Sequence, residues 1–282
     1  MLTFEEEHML ASSKRLASFR VPAGVYEFPF TFPVPDCLLE TITGAEHEYH
    51  SYQLQGVVER RVKRVVIVSQ QIRIYRSPSF GSLDAFPWFP VIVEGFSDQN
   101  IQYQISLPSQ NVPFGATFPV ECWFAPHSEK TQARSLEIRL IEKHHLRFPA
   151  TATESVRYNI HHVTSTSSHT IFAESFDLSD LESSHEIGWQ VTKRMVLPRN
   201  FHHCTQSFFG RNIKIEHLLA ITARFSGGND QGAEIAETIP INVYMTPDSI
   251  GEDANVRSLD MRCSEGQASV PPPTVNIFRM PC

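Results

Sequence analysis

Six of the histidines in this 282-residue chain stand in adjacent pairs, His144-His145, His161-His162 and His202-His203, the last followed by Cys204. Imidazoles beside a thiol are the raw material of a metal centre. The spacing argues otherwise, because structural zinc takes spaced Cys/His pairs. Successive residues of a strand point to opposite faces, so neighbouring histidines cannot easily close on one ion. No H-x-H and no H-E-x-x-H occurs, which removes the jelly-roll oxygenase and metalloprotease patterns. These histidines are read as solvent-facing or loop residues, and His217 as a hydrogen-bonded core residue. No metal and no cofactor is expected.

Other chemistry fares no better. There is no G-x-S-x-G elbow to raise a nucleophilic serine. Gly227-Gly228 with Gly232 is followed by no Gly-Lys-Ser/Thr and leads into a strand, so it is not a phosphate cradle. Cys37, Cys122, Cys204, Cys263 and Cys282 are odd in number, scattered, and form no C-x-x-C. That argues against a disulfide framework and a zinc ribbon and points to a reducing compartment. A formal charge of -7 supplies no basic field for nucleic acid. The densest basic cluster is Arg60, Arg61, Lys63 and Arg64, a candidate contact for an acidic cargo tail or a lipid headgroup. The preferred reading is a solvated strand end, since charge runs usually keep loops in water. Pro271, Pro272 and Pro273 could form a polyproline II contact, though a flexible tail is the preferred reading. No catalytic residues are assigned, and the chain is not expected to be an enzyme.

The elements that carry these residues are strands. Ile101, Tyr103, Ile105 and Leu107 alternate with Gln102, Gln104 and Ser106; Phe118, Val120, Cys122 and Phe124 follow the same rule. Leu136, Ile138 and Leu140 alternate with Glu137 and Arg139, and Val156, Tyr158 and Ile160 with Arg157 and Asn159. The longest run puts Ile213, Ile215, His217, Leu219, Ile221, Ala223 and Phe225 on one side. Period two buries one face and wets the other. Ser226 to Gly232 reads as a hairpin loop before a strand at Thr238 to Tyr244. Pro119, inside a strand pattern, calls for an edge strand or a bulge. The sole helix candidate is roughly Glu5 to Phe19. These features predict an all-β chain of antiparallel β-sandwiches.

The predicted organisation has an N-terminal segment at 1–18 and a first β block at 19–80. An inter-domain loop follows at 81–99, then a complete sandwich at 100–247 and a disordered tail at 248–282. The first block supplies about four strands where a sandwich wants about seven. Glu5, Glu6 and Glu7 stand where a secretory signal would need positive charge. No apolar run is long enough to span a bilayer. A soluble protein with at most peripheral membrane contact is the expectation.

Gly24-Val25-Tyr26-Glu27-Phe28-Pro29-Phe30-Thr31-Phe32-Pro33-Val34-Pro35 resembles the middle of an arrestin N-domain, in particular that of fungal α-arrestins. Glu40-Thr41-Ile42, Ser51 to Arg60 and Ile72 to Arg76 resemble its next segments. Ile101 to Pro108 followed by Phe114 to Val120 resembles the opening of an arrestin C-domain. Ser135 to Glu142, Ile213 to Leu219 and Ile239-Pro240-Ile241 resemble its later strands. Their order and spacing, over about four-fifths of the chain, carry the resemblance.

The resemblance implies two immunoglobulin-like, arrestin β-sandwich domains in tandem, the first incomplete and the chain a truncated version of a longer protein. Phe28, Phe30, Phe32, Tyr52, Leu54, Ile72 and Ile74 would then lie uncovered. It further implies an adaptor that recruits a HECT-type ubiquitin ligase to plasma-membrane transporters or receptors for ubiquitin-dependent endocytosis. Such an adaptor would sit in the cytoplasm, peripherally at the plasma membrane or endosomes. Two alternatives within the same resemblance are a component of ambient-pH signalling and a non-functional fragment. From another class comes a ligand-binding β-sandwich module, against which Trp88, Trp123 and Trp189 are too dispersed for a platform. The family docks its ligase through P-P-x-Y or L-P-x-Y. Here Pro272-Pro273-Thr274-Val275 puts Val275 in the tyrosine position, so a WW groove lacks the ring for its second pocket. Neutralising Arg60, Arg61, Lys63 and Arg64 together is expected to leave liposome binding unchanged in a sedimentation assay; loss of binding would instead assign the cluster a headgroup role.

Overall fold

The structure is a computed structural model that describes residues 24–25, 27, 29–31, 38–43, 48–60, 64–74, 90–97, 100–128, 130–179, 188–227, 232–245 and 259–261. The segment Glu5 to Phe19 lies outside the described residues, as do Arg61, Lys63 and Pro271 to Pro273. The protein is all-β, with one short helix among the described residues. No helix among them is long and apolar enough to cross a membrane.

Compactness divides the chain into two units. The described part of the first is a hairpin, β3 (Tyr52–Val58) paired antiparallel with β4 (Val66–Ile72). Tyr52, Leu54 and Ile72 are half-buried, whereas Val57, Ile67 and Val68 are exposed. Of the segment Ile72 to Arg76, Ile72 ends β4, Arg73 and Ile74 follow outside the strand, and Tyr75 and Arg76 lie outside the described residues.

The second unit carries the sandwich. One sheet runs in the order β11 (Trp189–Val196), β8 (Ala116–Pro126), β6 (Ile101–Leu107), β5 (Val91–Phe96). The other runs β10 (His162–Asp177), β9 (Gln132–Pro149), β13 (Ile213–Ser226), β14 (Ala233–Tyr244), β7 (Asn111–Pro113), with β12 (Phe208–Phe209) also on β13. A two-strand ladder joins β1 (Ile42–Thr43) to β2 (Glu48–His50). The alternating residues meet between the sheets: Ile105, Phe118 and Phe124 from one, Ile138, Leu140, Leu219 and Ile221 from the other, all buried. Phe225 anchors one end, edge-on to Phe124 at 5.2 Å and stacked on Trp189 at 5.8 Å. The Tyr103 hydroxyl donates to the Glu237 carboxylate, a polar tie from one sheet to the other. Gly95, paired with Tyr103, makes room for that ring, since a side chain there would collide with it.

Four expectations need correction. Val156 and Tyr158 lie in a helix, α1 (Ala152–Tyr158), and not in a strand. Thr151 caps it and Glu154 closes a reciprocal capping box, and Asn159 ends it in the left-handed region. The Thr-x-x-Glu signal outweighed three alternating apolar residues. Second, β5 lies inside the 81–99 stretch expected to be a loop. Third, β15 (Leu259–Asp260) pairs parallel with β8 from within the tail expected to be disordered. Fourth, Pro119 sits on an internal strand. Leu197 N donates to Ala116 O, so by antiparallel alternation Pro119, opposite Arg194, falls in a wide pair. Its nitrogen faces away from β11, on the flank where Met261 N donates to Thr117 O beside β15 and where β6 begins only at Glu121. The missing donor therefore interrupts no bond to β11.

Phe124 is fully buried, and Phe124→Ala is expected to lower unfolding stability by about 3–5 kcal/mol through lost burial and a residual cavity. Denaturant titration checks this.

Candidate functional site

The inward face of β9 changes character at Glu142. Leu136, Ile138 and Leu140 enter the apolar core, and the next two inward positions are Glu142 and His144, both buried. The register sets His169 of β10 and His217 of β13 opposite Glu142 on its two flanks. His-Glu-His thus forms one rank across three strands, with His144 two residues further along β9.

Three donors and a further imidazole surround the carboxylate. Oε1 lies 2.5 Å from His144 Nε2 and 3.3 Å from His169 Nε2. Oε2 lies 3.0 Å from His217 Nε2 and accepts the Thr205 backbone N–H at 2.7 Å. Burial alone would push the Glu142 carboxyl up. Hydrogen bonds from His144 and His217, attraction to His217 and the Thr205 N–H outweigh it and hold the group well below the usual carboxylate range.

A coil laid over this end of the sandwich supplies the outer partners. Cys204, Thr205 and Gln206 are buried there. Ser207 N donates to Val243 O at 2.7 Å and Ser207 Oγ accepts from Val243 N at 2.9 Å. The same Oγ is 2.8 Å from His217 Nδ1, which fixes the ring. Cys204 Sγ lies 3.9 Å from His217 Nε2, and burial followed by the Glu142 charge pushes its thiol well up. Thr205 Oγ1 is buried without a hydrogen-bond partner among the described residues. Gln206 Nε2 donates to Glu40 Oε2 at 2.6 Å, tying the coil to the segment before β1.

His217 is thus a hydrogen-bonded core residue, as the alternation predicts. His144 corrects the expectation of a solvent-facing residue, for it is 7 % exposed. His145 takes the opposite face, 3.2 Å from Glu216 Oε2. His161, His162, His202 and His203 are exposed. The cluster itself was missed. Its partial signal was Glu142-x-His144 continuing an apolar alternation, while the contribution of His169 depends on a strand pairing that no local pattern announces. Two sets of ligating atoms within 4.8 Å of one another result: Glu142, His144 and His169, and Glu142, Cys204 and His217.

Elsewhere the described surface offers contacts and no assembled chemistry. A shallow depression of roughly 270 Å³ on the outer face of the β8 sheet is lined by Gln104, Ser106, Glu121, Trp123 and Gln190. Arg60 and Arg64 are exposed, flanking the connection from β3 to β4. Phe96, Phe148 and Phe209 are exposed apolar groups.

The family model for the arrestin (or S-antigen) C-terminal domain matches residues 97–248, more than half of the chain. The chain is similar to a protein of Aspergillus clavatus named "Probable HECT-type ubiquitin ligase-interacting protein creD", 27% identical over 83% of this chain and 39% of the relative. It is also similar to the protein of that name in Aspergillus oryzae, 25% identical over 89% of this chain and 41% of the relative. A third relative, the "HECT-type ubiquitin ligase-interacting protein creD" of Emericella nidulans, is 26% identical over 83% and 39%. The chain therefore spans about two-fifths of the length of these curated relatives.

Glu142→Gln keeps the shape but turns an amide N–H toward existing donors. The loss is expected to be about 3 kcal/mol or more of unfolding stability, against about 0.5 kcal/mol or less for Glu216→Gln on the outer face. Urea unfolding of both variants checks the contrast.

Proposed function

Because this chain belongs to the arrestin family, through the C-terminal domain matched over residues 97–248, we propose that it works as a non-enzymatic adaptor for a HECT-type ubiquitin ligase. Its cargo would be plasma-membrane transporters or receptors, delivered to ubiquitin-dependent endocytosis at the cytoplasmic side of the plasma membrane or endosomes.

The observation that carries this reading is the similarity across 83–89% of the chain to proteins named for interaction with that ligase class. The architecture supports it in two ways. Among the described residues, β10 and β5, each outermost at one end of its sheet, offer backbone edges that an extended partner segment can lengthen. Among the described residues, Glu142, His144, His217 and the Thr205 N–H are engaged with one another. Since the chain contains neither P-P-x-Y nor L-P-x-Y, ligase contact by this chain runs through its folded surface, and not through a WW groove.

Affinity capture with the tagged chain is expected to retain an intact HECT-type ligase and a plasma-membrane transporter, with isolated WW domains not retained. Absence of both ligase and transporter, from a folded bait, would refute the adaptor reading.

A further inference from the structure

We propose that Glu142, His144 and His169 form a binding site for a divalent transition-metal ion of the Zn2+ class, open to solvent through His169. The inference stands on side-chain geometry and does not rest on the adaptor reading.

Two of the donors come from one strand and the third from its neighbour. Glu142 and His144 are two residues apart on β9 and so share its inner face. His169 is the direct partner of Glu142 on β10. A pleated sheet can bring three side chains together in this way without distorting its backbone. The ligating atoms lie within 4.8 Å of one another. With metal–ligand bonds of about 2.0–2.1 Å, neighbouring ligands of a tetrahedral ion are roughly 3.3 Å apart. The His169 Nε2 to Oε1 separation is 3.3 Å. The His144 Nε2 to Oε1 separation is 2.5 Å, and side-chain rotation of less than about 1 Å opens it to that edge.

The donor set selects the ion. Two imidazole nitrogens and one carboxylate oxygen suit zinc and its neighbours, whereas Mg2+ and Ca2+ take oxygen shells. The carboxylate is oriented beforehand. His217 and the Thr205 N–H hold Oε2, and Ser207 holds the far nitrogen of His217, which leaves Oε1 toward His144 and His169. Outer contacts of this kind fix the direction and basicity of a metal ligand.

Access distinguishes this set from the inner one. The His169 side chain is 41 % exposed, against 1 % for Glu142, so an ion can enter from the β10 side and keep water in its remaining position. Glu142, Cys204 and His217 are all buried, and Oε2 there already has two donors. An ion at the outer set would link β10, an outermost strand among the described residues, to β9 beneath it.

The test uses the full chain, freed of metal by a chelator and titrated with Zn2+ by calorimetry, and with Co2+ by visible absorption. Saturable binding at one ion per chain is expected, weakened at least about tenfold by His169→Ala, since loss of even an outer contact costs that much. His162→Ala, an exposed position on the same strand, is expected to bind like the wild type. Zn2+ is expected to raise the melting temperature of the wild type and not of His169→Ala. Absence of saturable binding, or equal binding by the wild type and a folded His169→Ala, would overturn the site. Should that variant not fold, the Co2+ spectrum of the wild type decides: nitrogen-ligand d–d bands support the site and their absence rejects it.

Discussion

From Ala223 opposite Leu136 to Ile215 opposite His144, β9 and β13 keep a single antiparallel register. Everything else in the sandwich depends on that pairing. A slip of one residue along β9 would carry Leu136, Ile138 and Leu140 to the solvent face at once. It would also separate Glu142 from His217. The same ladder therefore places the apolar core and the polar rank that follows it. The cost of a wrong register is the whole core, which is why so long a pairing can be held without a disulfide.

The polar rank shows how a sandwich tolerates a buried charge. Placing a carboxylate in the interior costs several kcal/mol unless donors replace its water. Here β9, β13 and the 204–207 coil each contribute one, and β10 brings the His169 imidazole to 3.3 Å. No single element could do so, and a coil held by Ser207 and Val243 does what a strand could not. Satisfied in this way, the cluster fixes where the coil crosses the sandwich end. The second oxygen of Glu142 is committed to that structural work while the first faces the histidines nearest solvent. One carboxylate thereby serves two sides of the same rank.

An arrestin-family sandwich offers its edges and loops for recognition. Surface loops and sheet edges bind partners by shape and backbone pairing. That division suits an adaptor, in which the fold is scaffold and the partners do the chemistry.

The class of fold was legible in the residues themselves. Period-two alternation at Ile101 to Leu107, Phe118 to Phe124, Leu136 to Leu140 and Ile213 to Phe225 corresponds to β6, β8, β9 and β13, because a pleated strand imposes that period. The glycine-rich stretch after Ser226 likewise falls between β13 and β14. His217 stood on the apolar side and is buried there. Less was legible where the signal was not local. β10 is largely serine, threonine and exposed residues, and it is a strand because β9 offers it a ladder. Val156 and Tyr158 alternate yet are helical, because a capping box acts before them. The meeting of His144 with His169 and of Glu142 with Thr205 was decided only in three dimensions. Residue type tells which face a side chain prefers; which residues face each other across strands depends on pairing between segments far apart in the chain, and only the folded sheets set that.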